Sequence, residues 1–377
     1  MKWSRRIGRI AGIDVFVHAT FPLLLAWIAW REAQQGASMA AIAAAVLLVI
    51  AVFGIVVLHE LGHALAARRY GIGTRDITLL PIGGIARLER MPHEPRQELT
   101  IALAGPAVNV GLAAALYLAL RLTGGASSAV ELLTADHAID ARSVVTQLCL
   151  INVWLAVFNL VPAFPLDGGR ALRALLAWRL HDYARATAAA ARIGRALAVV
   201  LALVGLFVTD NPFLVVVAVF VWVAGTAEER AVTTSAALAG VPLTGLMITE
   251  LHTLSPLDPL GRAAQYTIAG FQQDYPVLDG ERLVGMLGRA DLVRGLTEHG
   301  RTAPVSLAMQ RTFVTVQTTD APEQALARLA EAGGLALPVL RGGELVGVLT
   351  SENVMEYLML RAATEAAARR VAPRTDA

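Results

Sequence analysis

The chain has 377 residues, of which 56% are hydrophobic and 16% are charged, and its formal net charge is +2. Soluble domains contain fewer apolar and more charged residues, and the apolar excess lies between about residues 16 and 226. This distribution predicts a membrane domain followed by a soluble domain. No basic block indicates a nucleic-acid partner, and the single cysteine, Cys149, excludes an intrachain disulfide and a zinc–thiolate cluster.

The first residues, MKWSRRIGRIAGIDVFVH, lack the layout of a signal peptide, because no small-residue cleavage site follows a short apolar core. We therefore expect them to belong to the mature protein. Crossing a bilayer takes roughly 20 predominantly apolar residues. Six segments are predicted to do so, and the first and the last of them are short: 16–31, 38–67, 99–121, 143–164, 188–208 and 212–226.

Arginine residues predict the orientation of these spans, because cytoplasmic loops are enriched in Lys and Arg. With the N-terminus inside, the cytoplasmic segments hold Lys2, Arg5, Arg6, Arg9, Arg68, Arg69, Arg75, Arg87, Arg90, Arg96, Arg170, Arg173, Arg179 and Arg185. The opposite loops are mainly acidic, with Glu32, Glu131, Asp136, Asp140 and Asp210. An even number of spans returns the soluble part to the cytoplasm, and the Ala- and Arg-rich composition indicates a bacterial plasma (inner) membrane.

The stretch VVLHELGHALAARRY, residues 56–70, places His59, Glu60 and His63 in a predicted span. The two histidines are four residues apart, so on a helix both imidazoles lie on one face and can bind one zinc ion. Glu60 projects from an adjacent position, suited to take a proton from a water molecule at that ion. Ionisable groups at membrane depth each need a partner, and a shared metal would satisfy all three.

A catalytic zinc site takes a third protein ligand and keeps one position open. Asp167, in NLVPAFPLDGGRAL, follows the fourth span and is among few acidic residues near membrane depth. Pro162 and Pro165 are expected to stop the helix, and Gly168 and Gly169 to let the backbone approach closely. Local sequence alone favours Asp167 as a helix N-cap, whereas the H-E-x-x-H motif favours it as a metal ligand.

Asn152 and Asn159 are seven residues apart and share one helical face. Buried amides need hydrogen bonds, which leaves two alternatives: bonds between helices, or contact with an unwound substrate backbone or its oxyanion. LLPIGGIARLER, around Gly83 and Gly84, predicts a short strand pair that dips toward the membrane. His18 and His93 are not expected to bind the catalytic metal.

Residues 227–242 are polar or small and predict a linker, and 363–377 predict a tail. Between them lies an internal repeat. YPVLDGERLVGMLGRADLVRGL from Tyr275 aligns without gaps on LPVLRGGELVGVLTSENVMEYL from Leu337, an offset of 62 residues. Each copy predicts a helix, a strand, a glycine turn, a strand and a closing helix. We expect the two copies to pack against each other, since neither buries its apolar face alone.

HELGH on the second span, AGPAVN on the third and N-x-x-P-x-x-P-x-D-G at the end of the fourth together resemble the site-2 protease family of intramembrane zinc metalloproteases. The residues concerned are Gly105, Pro106, Asn109, Asn159, Pro162, Pro165, Asp167 and Gly168. The start, GIDVFVHATFPLLL, is similar to the subgroup that carries C-terminal CBS domains. The fold expected is a polytopic α-helical membrane domain of about six transmembrane helices (1–226), followed by a soluble α/β tandem CBS module.

This resemblance implies one zinc ion per chain, bound by His59, His63 and Asp167, with Glu60 as general base. It also implies that Asn152 lies near the active site. The loop with Gly83 and Gly84 would present an edge to an extended substrate; a plain cytoplasmic hairpin is the alternative. The implied substrate is a single-pass membrane protein, such as an anti-sigma factor, cleaved within the lipid bilayer.

The repeats resemble a tandem CBS pair covering 243–362, with copies at about 243–300 and 305–362. CBS pairs commonly bind adenine nucleotides, in a pattern with Thr or Ser three residues before Asp. The second copy has Thr350 with Asn353 and the first has Gly288 with Asp291, so each holds one of the two preferred residues. The module is therefore either a nucleotide sensor or a docking module that forms a homodimer.

Two further functions are compatible with this architecture. A transporter or channel regulated by CBS domains would line a path with polar groups on several spans. This chain instead concentrates its polar chemistry in HELGH, two Asn and LDG, which favours the protease. A catalytically silent scaffold is disfavoured because His59, Glu60, His63 and Asp167 are all present.

Overall fold

The chain divides into two structural units, Met1–Val232 and Thr233–Ala377. The structure, a computed structural model, describes residues 3–81, 83–90, 92, 94–123, 141–270 and 272–371. In these residues the first unit combines long helices with one four-stranded sheet, and the second alternates short strands with helices.

The described helices of the first unit are α1 (Thr20–Gln34), α2 (Met39–Arg68), α3 (Pro95–Leu122), α4 (Ala141–Asn159), α5 (Asp167–Leu180), α6 (Tyr183–Phe207) and α7 (Pro212–Leu238). Of these, α2, α3, α6 and α7 are long and apolar enough to cross a membrane. The two other predicted spans correspond to shorter helices: α1 has 15 residues, and the apolar part of α4 is Val144–Asn159. The membrane domain is confirmed, and the count of six spans is not.

Two strands precede α1, and they form a sheet with two strands that lie between α2 and α3. β1 (Ser4–Ile10), β2 (Ile13–His18), β3 (Thr74–Leu80) and β4 (Gly83–Leu88) make one sheet in the order β1-β2-β3-β4, in which only β2 and β3 are parallel. The predicted span 16–31 was therefore wrong at its beginning. Apolar Ile13, Val15 and Val17 alternate with other residues, a period of two that is typical of a strand.

The β3–β4 hairpin confirms the strand pair predicted around Gly83 and Gly84. Because β4 pairs only with β3, its other side is an edge of the sheet. Helix α2 packs against this hairpin: a Cβ added to Gly84 would lie 2.9 Å from Val56 Cγ1. The hairpin therefore lies beside the helix that carries the H-E-x-x-H motif.

Helix α4 ends at Asn159, earlier than the predicted boundary at residue 164. The following residues, as far as Leu166, are irregular, because Pro162 and Pro165 cannot donate a backbone hydrogen bond and restrict the residue before them. Helix α5 then begins at Asp167. The short connection between α4 and α5 therefore ends at Asp167, a residue of the predicted metal site.

The segment that we predicted as a linker, 227–242, is helical as far as Leu238, because α7 continues through it. Ala and Glu are good helix formers, and AEERAVTTSAAL contains no Gly or Pro to end the helix. The boundary between the two structural units, after Val232, falls inside this helix. The last membrane helix and the start of the second unit are therefore one continuous element.

The second unit follows the predicted order of elements in both copies. The first copy contains α8 (Leu260–Ala269), β5 (Tyr275–Asp279), β6 (Arg282–Leu287) and α9 (Arg289–His299); the second contains β7 (Val316–Gln317), α10 (Pro322–Glu331), β8 (Leu337–Arg341), β9 (Glu344–Leu349) and α11 (Ser351–Val371). Each copy buries its own apolar core, with Tyr275 and Val277 in the first and Leu337 and Val339 in the second.

The two copies also exchange backbone pairing. Ile248, which precedes the first copy's strands, pairs with Val348 of β9, and Gln310 pairs with Met286 of β6. These two bridges are related by the offset of 62 residues, since 248 + 62 = 310 and 286 + 62 = 348. Met286, Ala336 and Val348 form a shared apolar cluster. The copies therefore pack as the repeat predicted.

Candidate active site

His59 and His63 lie on one face of α2, as their spacing predicted, and both side chains are buried. Their rings meet edge to face with centroids 4.7 Å apart, and the two Nε2 atoms are 3.1 Å apart. Two ring nitrogens at this distance cannot both carry a proton without repulsion. At least one of the two Nε2 atoms therefore directs a lone pair at the space between the rings.

Asp167 completes this group. Its Oδ2 lies 3.1 Å from His59 Nε2 and 3.1 Å from His63 Nε2. The helix that it begins has Leu166 as its N-cap residue, and no side chain makes a capping hydrogen bond. The N-cap alternative for Asp167 is therefore wrong: this carboxylate faces the histidines, as the metal-ligand alternative requires.

Glycine residues allow Asp167 to reach this position. A Cβ on Gly168 would lie 2.3 Å from the carbonyl oxygen of Leu160, and one on Gly169 would lie 2.6 Å from the backbone of Ala163. Any larger residue would push α5 away from the preceding loop. The close backbone approach predicted for this glycine pair is confirmed.

Gly105, on α3, forms the wall of the site opposite α2. A Cβ at this position would lie 2.2 Å from His63 Nε2 and 2.6 Å from His59 Nε2, which is where a bound ion must fit. Sequence reasoning gave Gly105 only as part of a family motif. Its signal was a glycine inside a predicted span, where it weakens a helix unless something approaches closely.

The backbone of α3 also orients one imidazole. His63 Nδ1 donates a hydrogen bond to the carbonyl oxygen of Ile101, with 2.6 Å between the two atoms. A proton on Nδ1 leaves the lone pair on Nε2, the atom that faces His59 and Asp167. His59 Nδ1 is buried and has no partner in the described part of the chain.

The group fits a zinc ion. Its three atoms, two imidazole nitrogens and one carboxylate oxygen, are mutually 3.1 Å apart and are the donors that zinc prefers. Bonds of about 2.0–2.1 Å in tetrahedral geometry separate ligand atoms by about 3.3 Å. Three protein ligands leave the fourth position open, as in catalytic rather than structural zinc sites.

Glu60 lies next to the metal ligands, but its carboxylate is turned toward the sheet. Glu60 Oε2 accepts a hydrogen bond from the backbone N–H of Ala86 on β4, at 3.1 Å. A Cβ on Gly84 would lie 2.8 Å from Glu60 Cγ, so Gly84 makes room for this side chain. The hairpin around Gly83 and Gly84 is therefore part of the site's surroundings.

Within the described residues, the two asparagines of α4 direct their amide nitrogens at carbonyl groups of their own helix. Asn152 Nδ2 donates to Leu148 O at 2.8 Å and Asn159 Nδ2 donates to Leu155 O at 2.9 Å, both within α4. Asn152 is fully buried, and among described residues its Oδ1 has no partner. The described bonds give the interhelical alternative no support, and contact with substrate stays a prediction.

Asn109 was not predicted as a site residue. It lies one helical turn beyond Gly105 on α3 and is 0% exposed. Within the described chain neither its Oδ1 nor its Nδ2 has a hydrogen-bond partner. His18 Nδ1 contacts Thr20 Oγ1 at 2.8 Å, and His93 lies outside the described residues.

The candidate nucleotide residues of the second unit have partners within the protein. Thr350 Oγ1 accepts from the N–H of Asn353 at 3.1 Å, which caps α11. Asn353 Nδ2 donates to Leu246 O at 2.7 Å. The carboxylate of Asp291, which is buried, accepts from Gln310 Nε2 at 2.7 Å. Unlike the histidine group, these side chains do not leave polar atoms facing a common point.

The first unit is thus a helical membrane domain in which the histidines of an H-E-x-x-H motif and Asp167 form a buried group that could hold a metal ion, and the second is a pair of α/β repeats. The family model described as Peptidase family M50 matches residues 47–201, and the CBS domain model matches residues 243–298 and 305–360. The chain belongs to peptidase family M50, the site-2 proteases, and its second unit is a tandem CBS module.

The relatives cover both units. A zinc metalloprotease of Methanocaldococcus jannaschii is 30% identical over 360 residues, which are 96% of this chain and 97% of that protein. Rip3 of Mycobacterium tuberculosis, which is also named as a zinc metalloprotease, is 31% identical over 372 residues, 93% of this chain and 92% of that protein. A solved site-2 protease from M. jannaschii is 36% identical, with a TM-score of 0.43, and the match covers 60% of this chain and 96% of that one.

Proposed function

We propose that this chain is an intramembrane zinc endopeptidase in which His59, His63 and Asp167 hold one zinc ion and Glu60 is the general base. The observation that carries the proposal is the buried group of two imidazole nitrogens and one carboxylate oxygen, mutually 3.1 Å apart. Membership of a peptidase family and relatives named as zinc metalloproteases support it.

The residues around the ligands suit peptide-bond hydrolysis. When bound, zinc supplies a Lewis acid that polarises the scissile carbonyl and lowers the pKa of a water molecule. Glu60 takes a proton from the attacking water and returns it to the leaving amine. His63 would hold the ion through Nε2, because its hydrogen bond to Ile101 O keeps the proton on Nδ1.

The substrate is a membrane-spanning segment of a single-pass protein, of the anti-sigma-factor kind. A helix in lipid is shielded by its own hydrogen bonds, so the segment must unwind before cleavage. The free edge of β4, with Gly83 and Gly84, is the surface on which an extended segment can recover backbone hydrogen bonds. The hydrogen bond from Ala86 N–H to Glu60 Oε2 supports this, because the proposed base contacts the same strand. The unpartnered Oδ1 of Asn152, with Asn159 on the same helix, would receive amide donors of the unwound chain.

The enzyme is proposed to be a multi-pass protein of the bacterial plasma membrane, with its N-terminus and CBS pair in the cytoplasm. The arginine distribution supports this orientation. The H-E-x-x-H motif lies near the end of α2, about one turn before Arg68, so the site is closer to the cytoplasmic side.

The CBS pair is proposed to control cleavage and to join two copies of the chain in a homodimer. Adenine nucleotide is the ligand class to test at Thr350, Asn353 and Asp291, where binding must displace the internal hydrogen bonds. A rise in the thermal midpoint on addition of AMP that is lost in Asp291→Ala would support a nucleotide site. The cleavage rate of the full-length protein, measured with and without AMP, tests whether that site controls the protease.

The decisive experiment is cleavage of a single-span substrate by the purified protein in detergent, with zinc analysis of each sample. Glu60→Gln should retain zinc and lose cleavage, because the amide cannot take a proton. Asp167→Ala should lose zinc as well, because it removes a ligand. Zinc retained at full affinity in Asp167→Ala, or cleavage by Glu60→Gln at the wild-type rate, would contradict the proposed roles. Tight zinc without cleavage of any substrate would favour the silent scaffold.

A further inference from the structure

Arg173 is a large buried cation that the proposed mechanism does not use. Its side chain is 1% exposed, and it lies on α5, six residues after Asp167. A buried guanidinium is costly unless charged partners surround it. The partners of Arg173 therefore indicate what the protein gains by keeping it there.

The guanidinium joins three helices. Its Nε donates to Glu98 Oε1 on α3 at 2.7 Å, Nη2 donates to the same oxygen, and Nη1 donates to Glu228 Oε1 on α7 at 2.5 Å. Its Cζ lies 5.1 Å from the centre of the Phe164 ring and 4.9 Å from that of Tyr183. One side chain thus holds α3, α5 and α7 together.

Two of these contacts lead directly to the metal site. Phe164 is three residues before Asp167, in the loop that delivers this ligand to the histidines. Glu98 is one helical turn before Ile101, whose carbonyl oxygen accepts the hydrogen bond from His63. The guanidinium therefore fixes, relative to each other, the segment that carries one ligand and the segment that orients another.

The two carboxylates that bind the guanidinium differ in exposure. The side chain of Glu98 is 4% exposed, whereas that of Glu228 is 27% exposed. Without Glu228, Arg173 would still pair with the buried Glu98. Without Glu98, the buried side of the guanidinium would lose its carboxylate partner. Glu228 is thus the partner that the protein can release without stranding a buried charge.

We propose that Arg173 is a positioning residue for Asp167, and that Glu228 helps to hold this guanidinium in place. The proposal rests on the function proposed above. With Glu228 in contact, Arg173 fixes the loop before Asp167 relative to the first turns of α3. Without that contact, the loop and the helix are less firmly fixed and the proposed metal ligands lose their alignment.

The test uses the full-length protein in detergent with Co²⁺ in place of zinc, because the visible absorption of cobalt reports the geometry of its ligands without any need for activity. Glu228→Ala removes the contact with Arg173 and keeps a good helix former in α7. Its matched control is Glu229→Ala, which removes the neighbouring ion pair with Arg195 on α6, 2.5 Å long. Glu228→Asp keeps the charge and serves as the rescue.

We expect Glu228→Ala to change the cobalt absorption bands and to lower kcat about tenfold, with KM unchanged. A tenfold loss is at the lower end of the effects seen when a residue that supports a metal ligand is removed. Glu229→Ala should match the wild type, and Glu228→Asp should recover most of the lost kcat. Bands and kcat unchanged in Glu228→Ala, or changed equally in Glu229→Ala, would overturn the inference. A wild-type protein that binds neither cobalt nor zinc would instead overturn the proposed function itself.

Discussion

In the first unit the candidate site residues aim their polar atoms at one another, whereas in the second unit they aim them at partners elsewhere in the protein. His59, His63 and Asp167 bring three potential ligand atoms within 3.1 Å in a buried space. Thr350 caps a helix through its hydroxyl oxygen, and Asp291 accepts a hydrogen bond from a glutamine side chain. Both sets were selected from sequence motifs, and only one is arranged around a common centre.

The difference shows what distinguishes a ligand site from a structural hydrogen-bond network. Buried polar atoms are normally satisfied by the protein itself. When two imidazole nitrogens and a carboxylate oxygen converge on one buried point, they form the kind of donor set that binds a metal cation. When each polar atom has its own internal partner, as in the second unit, the same residue types stabilise helix ends and loop contacts.

The largest effect is expected when the space between the candidate metal ligands of the first unit is filled. In Gly105→Ala the new Cβ would lie 2.2 Å from His63 Nε2, so the ligands must move apart. We expect zinc affinity to fall by more than about 100-fold, beyond the usual effect of losing a supporting residue. Competition with a calibrated chelator measures this affinity on the purified protein.

Gly111→Ala is the matched control for Gly105→Ala. It lies on the same helix, where an added Cβ meets nothing within 4 Å. Both substitutions gain helix propensity, about 1 kcal/mol for Gly to Ala, so their difference isolates the clash at the ligands. Equal zinc affinities in the two variants would mean that the ion does not occupy the space in front of Gly105.

A second, smaller effect is expected where the CBS copies exchange pairing. A Cβ on Gly347 would lie 2.6 Å from the carbonyl oxygen of Ile248, whereas one on Gly285, the equivalent residue of the first copy, first meets the flexible Sδ of Met309 at 2.7 Å. We expect Gly347→Ala to cost about 2 kcal/mol and Gly285→Ala about 1 kcal/mol, in the range for overpacking. Hydrogen exchange of the full-length protein measures both, at the Ile248 and Val348 amides for the first and at Met286 and Gln310 for the second.

The larger cost is expected for Gly347→Ala because the added methyl group first meets backbone there, whereas in Gly285→Ala it first meets a side chain. Met309 can change rotamer to accept a new methyl group, but the Ile248 carbonyl belongs to the bridge with Val348 and has no rotamer to change. A larger loss of protection in Gly285→Ala than in Gly347→Ala would show that the two bridges are not mechanically equivalent in the way the structure indicates.

Sequence patterns were sufficient where the chemistry is local or repeated. The spacing of His59 and His63 fixes their common helical face, and the offset of 62 residues reproduces both bridges between the CBS copies. Asp167 was found because few acidic residues occur near membrane depth. In each case one physical rule, helical periodicity, repeat symmetry or the cost of burying a charge, was enough.

Long-range packing explains what the sequence could not predict. The partners of Arg173 lie on helices α3 and α7, 75 and 55 residues away along the chain, and no local pattern links them. Gly105 can be recognised as the wall of a metal site only after α3 packs on α2. The strand β2 was mistaken for the beginning of a span because its apolar residues run directly into those of α1.

A third prediction concerns the helix cap in the second unit. Thr350→Ala removes the hydrogen bond from the Asn353 N–H to Thr350 Oγ1 at the start of α11. We expect a cost of about 1 kcal/mol, typical of a lost N-cap. Faster exchange of the Asn353 amide would report it, and the exposed neighbour Ser351→Ala is the control. If exchange is unchanged in Thr350→Ala, the hydroxyl is not committed to the cap and is available to a ligand.

The smallest effect concerns the charge of Asp274, between β5 and the second copy. Burial raises the pKa of this carboxyl above its ordinary value, and the nearby carboxylates Glu352 and Asp291 raise it further, although the N–H groups of Ala336 and Arg289 oppose the rise. The folded protein therefore holds this proton more tightly than the unfolded chain does. The Asp274 contribution to stability is greatest at low pH and is lost as pH rises from the unfolded pKa, about 3.9, through the higher folded pKa.

Asp274→Asn cannot ionise, so its stability lacks this dependence on pH. Whatever its offset from wild type at pH 3, we expect the thermal midpoint of the variant relative to wild type to rise between pH 3 and pH 7, as ionisation destabilises only the wild-type protein. Calorimetry of both full-length proteins across this range measures the difference. A relative midpoint that falls with pH would mean that the hydrogen bond from Ala336 N, 2.8 Å long, outweighs burial and stabilises the charged form. In that case Asp274 and Asp291, whose carboxylates lie beside Gly288, would form an anionic pair that repels the phosphate of a nucleotide. The contrast with the candidate cation site of the first unit would then be stronger.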